Sequence, residues 1–485
     1  DGWISNGVIE EYSAKKSPKP TLDTRWVLTE KLKDGNLVPK ARLVLRGFKE
    51  SLNTLNDSPT TQRSSIKLIL SIALMERIPI WTRDVSQAFL QSEPLLRDVW
   101  VQPPKEVWEA SKEPVVWKLI KPAYGLIDAP YIWYETLKKY LVSNLGTKIS
   151  VIDPCMFISN ENGHFGIIGT QVDDLLITGN AEFEKVESSL EKHFRMNECN
   201  KTAMEFVYSG LHVDLVGLPS YITFDMKSYV SKVKSPSIGS FHDLQAFRGQ
   251  LLYLATSARP DLAYDVAFLA QVTEDFFSKS PSIIEGKCLK IFQYLQETSE
   301  LHIMHHALDK ASLRIVMYCD ASFANNLDLS SQVGYIITLS DASKRHNIIT
   351  WKSGKSKRVV RSTLAAETLA ITDGYDTMLG IRTLLYEIYH EYPKVIIFSD
   401  NKSLFDTISK RTSTTEKNVL INLAILREAF SQGIISGVGF IKSPFNPADG
   451  LTKENGNVKL KELLFSDLFT HPIEEWLTTT ESFEY

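Results

Sequence analysis

Gln171-Val172-Asp173-Asp174-Leu175 lies between two apolar runs, residues 164–172 and 175–178, and the fold turns on how it is read. Both runs have strand character, so the two carboxylates fall at or beside a hairpin turn. Taken alone, an Asp-Asp pair also fits the polar tip of an ordinary hairpin, because turns favour Asp. Two adjacent like charges between apolar strands nevertheless repel and lose hydration unless something positive binds them. Magnesium suits that role, since it takes hard oxygen ligands and bridges protein carboxylates to substrate phosphates.

Outward from this pair, a strand over 78–85 carries Asp84 near its end, within Thr82-Arg83-Asp84-Val85-Ser86-Gln87-Ala88-Phe89. A helix follows from about 129 to 142. Upstream, Trp26-Val27-Leu28 and the basic run 40–48 read as strands, with Asp34-Gly35-Asn36 supplying turn chemistry between them. Ser64-Ser65 is expected to cap an amphipathic helix through Met75, with Ile66, Ile69, Leu70, Ala73 and Leu74 on one side. Helical patterns fill 241–300 and break at Ala258-Arg259-Pro260-Asp261. After about 311 the pattern becomes three strands (313–319, 332–339, 346–351), a helix from Ser362, a strand 395–399, a helix 416–432 and a strand 435–441. That alternation indicates a separate mixed α/β domain, with the main boundary near 305.

A chain of 485 residues exceeds one hydrophobic core and should split into two to four domains. Its 43% hydrophobic and 23% charged residues are ordinary for a globular protein, and no apolar stretch is long enough to span a bilayer. The opening Asp1-Gly2-Trp3-Ile4-Ser5-Asn6 has no basic-then-apolar leader pattern. Cys155, Cys199, Cys288 and Cys319 are scattered, which predicts reduced thiols in an intracellular compartment and argues against a zinc site. A net charge of −4 does not advertise a polyanion-binding protein, so any nucleic-acid surface must be local.

A second set of carboxylates lies in the C-terminal region. Asp320 ends the first of its strands in Tyr318-Cys319-Asp320-Ala321-Ser322, and Glu367 sits in the helix that opens Ser362-Thr363-Leu364-Ala365-Ala366-Glu367. Asp400 follows the strand 395–399, and Asp449 lies in Asn446-Pro447-Ala448-Asp449-Gly450-Leu451-Thr452-Lys453. Each alone could be a strand-end or helix-cap carboxylate. The run Trp351-Lys352-Ser353-Gly354-Lys355-Ser356-Lys357-Arg358, with Arg361, reads as a basic loop before the Glu367 helix.

Together these motifs resemble the reverse transcriptase–ribonuclease H of copia-type (Pseudoviridae) long-terminal-repeat retrotransposons. The resemblance is carried by Lys40-Ala41-Arg42-Leu43-Val44-Leu45-Arg46-Gly47-Phe48, Asp84 with Phe89, Lys121-Pro122-Ala123-Tyr124-Gly125-Leu126-Ile127-Asp128-Ala129-Pro130-Tyr131-Ile132-Trp133-Tyr134, Asp153-Pro154-Cys155-Met156-Phe157 and Val172-Asp173-Asp174. It implies an α+β and α/β multidomain protein: a right-hand polymerase with fingers, palm and thumb, a connection, and a C-terminal ribonuclease H-like fold. The implied division is 1–210 fingers and palm, 211–305 thumb and connection, 306–460 ribonuclease H, and 461–485 a C-terminal tail. The segment 205–300, with Phe247-Arg248-Gly249-Gln250-Leu251-Leu252-Tyr253-Leu254, offers no chemistry and is expected to guide the duplex.

By the same resemblance Asp84, Asp173 and Asp174 are palm metal ligands, and Asp320, Glu367, Asp400 and Asp449 are those of the nuclease, each site taking two Mg2+ ions, or Mn2+ in their place. Lys40 and Arg42 would hold the incoming triphosphate, Phe89 would exclude a 2′-hydroxyl, and Tyr124 would touch the nucleotide. Gln171, Lys352, Lys355, Lys357, Arg358 and Arg361 would contact nucleic acid. Two departures stand out: Gln171 replaces the Tyr that many relatives carry, and Lys442-Ser443-Pro444-Phe445-Asn446 lacks the His that many ribonucleases H place before the last Asp. The implied partners are an RNA template, a DNA primer, RNA–DNA hybrids and dNTPs, with a homo-oligomer or other polyprotein products and no membrane. The implied setting is the cytoplasm, in virus-like particles, or the nucleus. The alternative is a degenerate or domesticated relative that binds nucleic acid as a scaffold; loss of a metal carboxylate would favour it, yet all seven are present.

Overall fold

The computed structural model describes the chain except residues 1, 21, 34–35, 51–55, 198, 200, 411–415, 455, 457, 466–476 and 480–485. It is a mixed α/β protein, and the described residues form four sheets. Two compact units divide it, residues 1–61 with 81–201, and residues 62–80 with 202–485.

In the first unit one five-stranded sheet is built around the long antiparallel hairpin Leu22–Lys33 and Asn36–Leu45, paired from Thr24↔Leu45 to Lys33↔Asn36. Asp34 and Gly35, the expected turn, lie outside the described residues. The second sheet runs in the order Ile80–Asp84, Asp174–Gly179, Gly166–Gln171, Met156–Ser159, Lys148–Ile149. Trp81, Trp133, Phe157, Ile168, Leu175, Ile177 and Phe183 form the core on this sheet. The helix Ala129–Leu145 packs into that core and ends at Gly146, whose φ of 66° supplies the left-handed C-terminal turn.

The second unit contains the helix Arg63–Glu76, and here the sequence expectation needs correction. Ser64 and Ser65 do not cap it: the cap position is Gln62, whose side chain makes no capping hydrogen bond to the helix, and Ser65 is buried inside the first turn. Nor is the helix apolar on one side only, since every residue from Ser65 to Leu74 is buried. Ser71 meets His305 at 2.9 Å and the Lys67 ammonium sits 4.5 Å over the Trp351 ring. Burial, and then the charge of Arg63, pushes the Lys67 amine down to about 7. An all-round apolar helix is a buried one, which a one-faced reading could not show.

Residues 205–225 fold into three short antiparallel strands, the last of which, Tyr221–Asp225, pairs with Ile303–His306. The helical stretch is Phe241–Ser257, Ala263–Leu269, Glu274–Lys279 and Pro281–Glu297, with the interruption at Pro260–Leu262. Beyond it a six-stranded sheet has the order His346–Lys355, Gln332–Ser340, Arg314–Ser322, Lys394–Ser399, Gly437–Phe440, Leu477–Thr479. The first three are antiparallel, and the pairings Arg314–Ser322 with Lys394–Ser399 and Lys394–Ser399 with Gly437–Phe440 are parallel. The helix Thr363–Tyr389, capped by Ser362, lies on this sheet at Gly374, where a Cβ would come within 2.6 Å of the Met317 sulfur. The helix Lys402–Ser409 was not expected. The segment read as a tail from 461 contributes to the helix Val458–Phe465 and to the sixth strand of the sheet.

Candidate active sites

The first site sits where two strand ends meet. Register Gln171↔Asp174 leaves Val172 and Asp173 as the two-residue turn of the hairpin. Val172 has φ of 59°, a conformation that ordinarily calls for glycine and is strained for a β-branched residue. Two hydrogen bonds hold it there: the Trp133 indole N–H donates to the Val172 carbonyl at 2.7 Å, and Val85 N–H to the Asp173 carbonyl at 2.9 Å. Strain kept in place by surrounding bonds is a recurrent mark of functional turns. Asp84 ends its strand alongside, its carboxylate accepting from the Asn197 amide and its carbonyl accepting from Asn197 N–H at 2.9 Å.

Lys40 and Arg42 are two apart on one strand and so project from one face. With Asp84, Asp173, Tyr124 and Asn197 they line one cavity of about 960 Å3. Tyr124 is fixed from behind: its carbonyl accepts from Leu45 N–H at 2.7 Å, and the next residue, Gly125, has φ of 91° and leaves no room for a Cβ against the Leu45 carbonyl. Burial, then the Asp84 charge, raises Asp173, with Arg42 and Lys40 opposing. Asp174 is exposed and does not line this cavity; partial desolvation, then Asp173 and Asp84, raise it to about 6.

In the second site the register does the assembling. Cys319 pairs with Ser399 on adjacent parallel strands, so Asp320 and Asp400, one residue on, emerge side by side. Asp449 arrives on the single turn Pro447–Leu451, anchored by the Asn446 amide, which donates to the Cys319 carbonyl at 2.9 Å. One oxygen from each of Asp320, Asp400 and Asp449 lies within 4.8 Å of the others. Glu367, one turn into its helix, accepts from Ala321 N–H at 3.3 Å and from the Ser399 hydroxyl at 3.5 Å. The Lys453 ammonium donates to Asp320 at 3.2 Å and to Asp449 at 3.1 Å, Thr452 donates to Asp320, and Ser443 to Asp400. Burial and the neighbouring carboxylates raise Glu367 well above the usual range, while burial and then Asp320 bring Asp449 to about 7. Burial also raises Asp320, against the pull of Lys453.

A family model described as "Reverse transcriptase (RNA-dependent DNA polymerase)" matches residues 10–236, the stretch holding the first site. The chain carries a reverse transcriptase domain. Its homologues are Pol polyproteins of copia-type transposons in plants and of yeast Ty1. It is 28% identical to the "Retrovirus-related Pol polyprotein from transposon TNT 1-94" of Nicotiana tabacum, over 92% of this chain and 35% of that protein. It is 29% identical to the corresponding polyprotein from transposon RE1 of Arabidopsis thaliana, over 88% and 30%. With the Ty1-GR1 Gag-Pol polyprotein of Saccharomyces cerevisiae the figures are 24%, 92% and 27%. The chain thus spans about a third or less of the length of these relatives. Among solved structures, a foamy viral protease-reverse transcriptase in complex with double-stranded DNA aligns with 90% of this chain and 67% of its own, at 12% identity and a TM-score of 0.49.

Within the reverse transcriptase domain the sequence-derived residues are not equally placed. Asp84, Asp173, Lys40, Arg42 and Tyr124 share the cavity. Phe89 is not on its wall; it is half-buried, with its ring 5.2 Å from that of Tyr124. Gln171 is likewise off the wall, and its side-chain oxygen is buried without a hydrogen-bond partner. In the C-terminal region the expected basic loop is in part a strand: residues through Lys355 continue His346–Lys355, because they keep pairing with Gln332–Ser340. Lys352 is bound to Asp373 at 2.8 Å and Lys355 to Asp328, whereas Lys357, Arg358 and Arg361 are exposed. Two residues went unassigned in the sequence. Lys453 could have been found, standing four residues after Asp449. Asn197 could not, since nothing local marks it.

Proposed function

We propose that this chain synthesises DNA on RNA and DNA templates from dNTPs at the Asp84–Asp173–Asp174 site, and hydrolyses the RNA strand of RNA–DNA hybrids at the Asp320–Glu367–Asp400–Asp449 site, in the service of retrotransposon replication. The observation that carries the first activity is the shared cavity, whose lining includes two cations, Lys40 and Arg42, two carboxylates, Asp84 and Asp173, and Tyr124. For the second it is the meeting of three carboxylate oxygens within 4.8 Å beside the buried Glu367.

Both donor sets fit divalent magnesium: hard oxygens, more negative charge than the nearby cations offset, and carboxyls held above their usual range until something positive arrives. Asp84, Asp173 and Asp174 would hold it in one site and Asp320, Glu367, Asp400 and Asp449 in the other, where the bound ions make an oxygen nucleophile available at neutral pH and offset charge on the phosphate. Lys40 and Arg42 bind triphosphate oxygens and orient them toward the strand ends. Tyr124 offers its ring to the sugar and base, with Phe89 behind it. Exposed Lys357, Arg358 and Arg361 supply screened contacts to hybrid phosphates. Template, primer, hybrid and dNTPs are the partners on this reading, with other polyprotein products beside them, in cytoplasmic particles or the nucleus.

The test pairs two assays on the full chain: dNTP incorporation on poly(rA)/oligo(dT), and cleavage of a labelled RNA–DNA hybrid, each with Mg2+. Incorporation and cleavage support the reading. A chain that binds both duplexes and processes neither is a scaffold.

A further inference from the structure

Lys453 occupies the place in the second site where a bound cation is most needed. Its ammonium is shared between Asp320 and Asp449, and Thr452 takes the other Asp320 oxygen, so both oxygens of that buried carboxylate are engaged by the chain itself. A divalent ion seated among Asp320, Asp400 and Asp449 therefore has to meet or move this ammonium, because two cations on the same oxygens repel.

The side chain also has somewhere to go. Lys453 lines a cavity of about 760 Å3 together with Lys287, Lys290, Lys461, Tyr264 and Tyr294. Lys287 is neutralised by Asp265 at 2.9 Å and Glu454 at 3.1 Å. Lys290 and Lys461 make no ion pair among the described residues, and Lys461 stands over the Tyr294 ring at 4.5 Å. Cations interleaved with aromatic rings suit a nucleic-acid backbone and its bases.

We propose that the Lys453 ammonium is a displaceable internal counter-ion, which holds the carboxylates together until a divalent cation replaces it and then adds its charge to the adjoining cavity, so that metal loading and polynucleotide binding there strengthen one another. The inference rests on the second site being a metal site, as read above. By linkage the effect is reciprocal.

The test uses the full chain with Asp173→Asn and Asp174→Asn, which keeps the first site out of the titration. Mn2+ binding by calorimetry should tighten about tenfold when Lys453→Met is added, within the usual range of coupling between sites. Hybrid binding, followed by fluorescence anisotropy in Ca2+ and in EDTA, should be strengthened by Ca2+ in the parent and much less so in Lys453→Met. Unchanged or weaker Mn2+ binding in Lys453→Met overturns the proposal, as does an unaltered Ca2+ effect on the hybrid. If Lys453→Met does not fold, Lys453→Gln carries the same expectations. Cleavage by the otherwise unaltered chain separates the two readings. Tightened Mn2+ binding in a chain that never cuts keeps the counter-ion and removes the nuclease, and no Mn2+ binding in either protein overturns both.

Discussion

The two carboxylate sites handle the same electrostatic problem differently. Around Asp84, Asp173 and Asp174 the chain keeps its cations, Lys40 and Arg42, on the wall of an open cavity and steadies Asp84 with the neutral amide of Asn197. Around Asp320, Asp400 and Asp449 the carboxylates crowd together, and an ammonium is placed directly on two of them. Among the described residues, three carboxylates bring oxygens within 4.8 Å of one another only in this second site. An open site whose cations face the cavity suits a small polyanion that brings its own charge. A crowded site with an internal cation suits a polymer that is gripped elsewhere and cut in place.

The sharpest way to break this comparison is to exchange one oxygen in each site. Asp173→Asn should lower DNA synthesis by about 100-fold or more and leave hybrid cleavage intact, and Asp400→Asn should do the reverse, as loss of a charged group at the reacting phosphate implies. Any mutant that silences both assays would mean that the sites are not separate. Next in size, Arg42→Ala should raise KM for dNTP about tenfold with cleavage unaltered, the scale of a lost charge-assisted bond. An unchanged KM would take Arg42 out of triphosphate binding. Asn197→Ala should cost synthesis about threefold to tenfold, since it frees Asp84 without removing it. Equal loss from Asn197→Asp and Asn197→Ala would show that steadying by a neutral amide is not what matters.

The smallest effect concerns pH. Asp449 is held near 7, well above an ordinary carboxyl, so the folded metal-free chain binds a proton that the unfolded chain has shed. That stabilisation is complete below about pH 4 and is lost as pH rises toward 7. Asp174, near 6, gives the same sign over a narrower window. Metal-free Tm should therefore fall by about a few degrees between pH 5 and 8. Asp449→Asn should flatten that slope more than Asp174→Asn, and equal slopes in all three proteins would refute the assignment.

Asp84, Asp173, Asp174, Asp320 and Asp400 stood out because each borders an apolar strand run, where a local pattern shows both the strand and the polar residue beside it, whereas Glu367 inside a helix and Asp449 on a turn were picked out only through the family resemblance. What completes each site was not legible to the same degree. Asn197 reaches Asp84 across 113 positions, and no periodicity encodes that distance. Trp351–Lys355 looked like a loop because Lys, Ser and Gly dilute the alternation, yet cross-strand pairing with Gln332–Ser340 keeps it extended. The helix Lys402–Ser409 was hidden by its brevity, and Arg63–Glu76 was given one face because its polar residues suggested a wet side that the fold covers.

That last helix has a consequence for biosynthesis. It leaves the ribosome long before the strands Ile303–His306 and His346–Lys355 against which Ser71 and Lys67 rest. During that interval a stretch reading Ile-Lys-Leu-Ile-Leu-Ser-Ile-Ala-Leu has no permanent shelter, and a nascent chain with such a segment is a substrate for chaperones. A C-terminal fragment beginning at residue 306 would be born without it, leaving Asn347 short of its Ser71 partner and the Trp351 ring without the Lys67 ammonium. Excising the C-terminal region as a folded protein therefore requires carrying residues 62–80 along, grafted or supplied in trans.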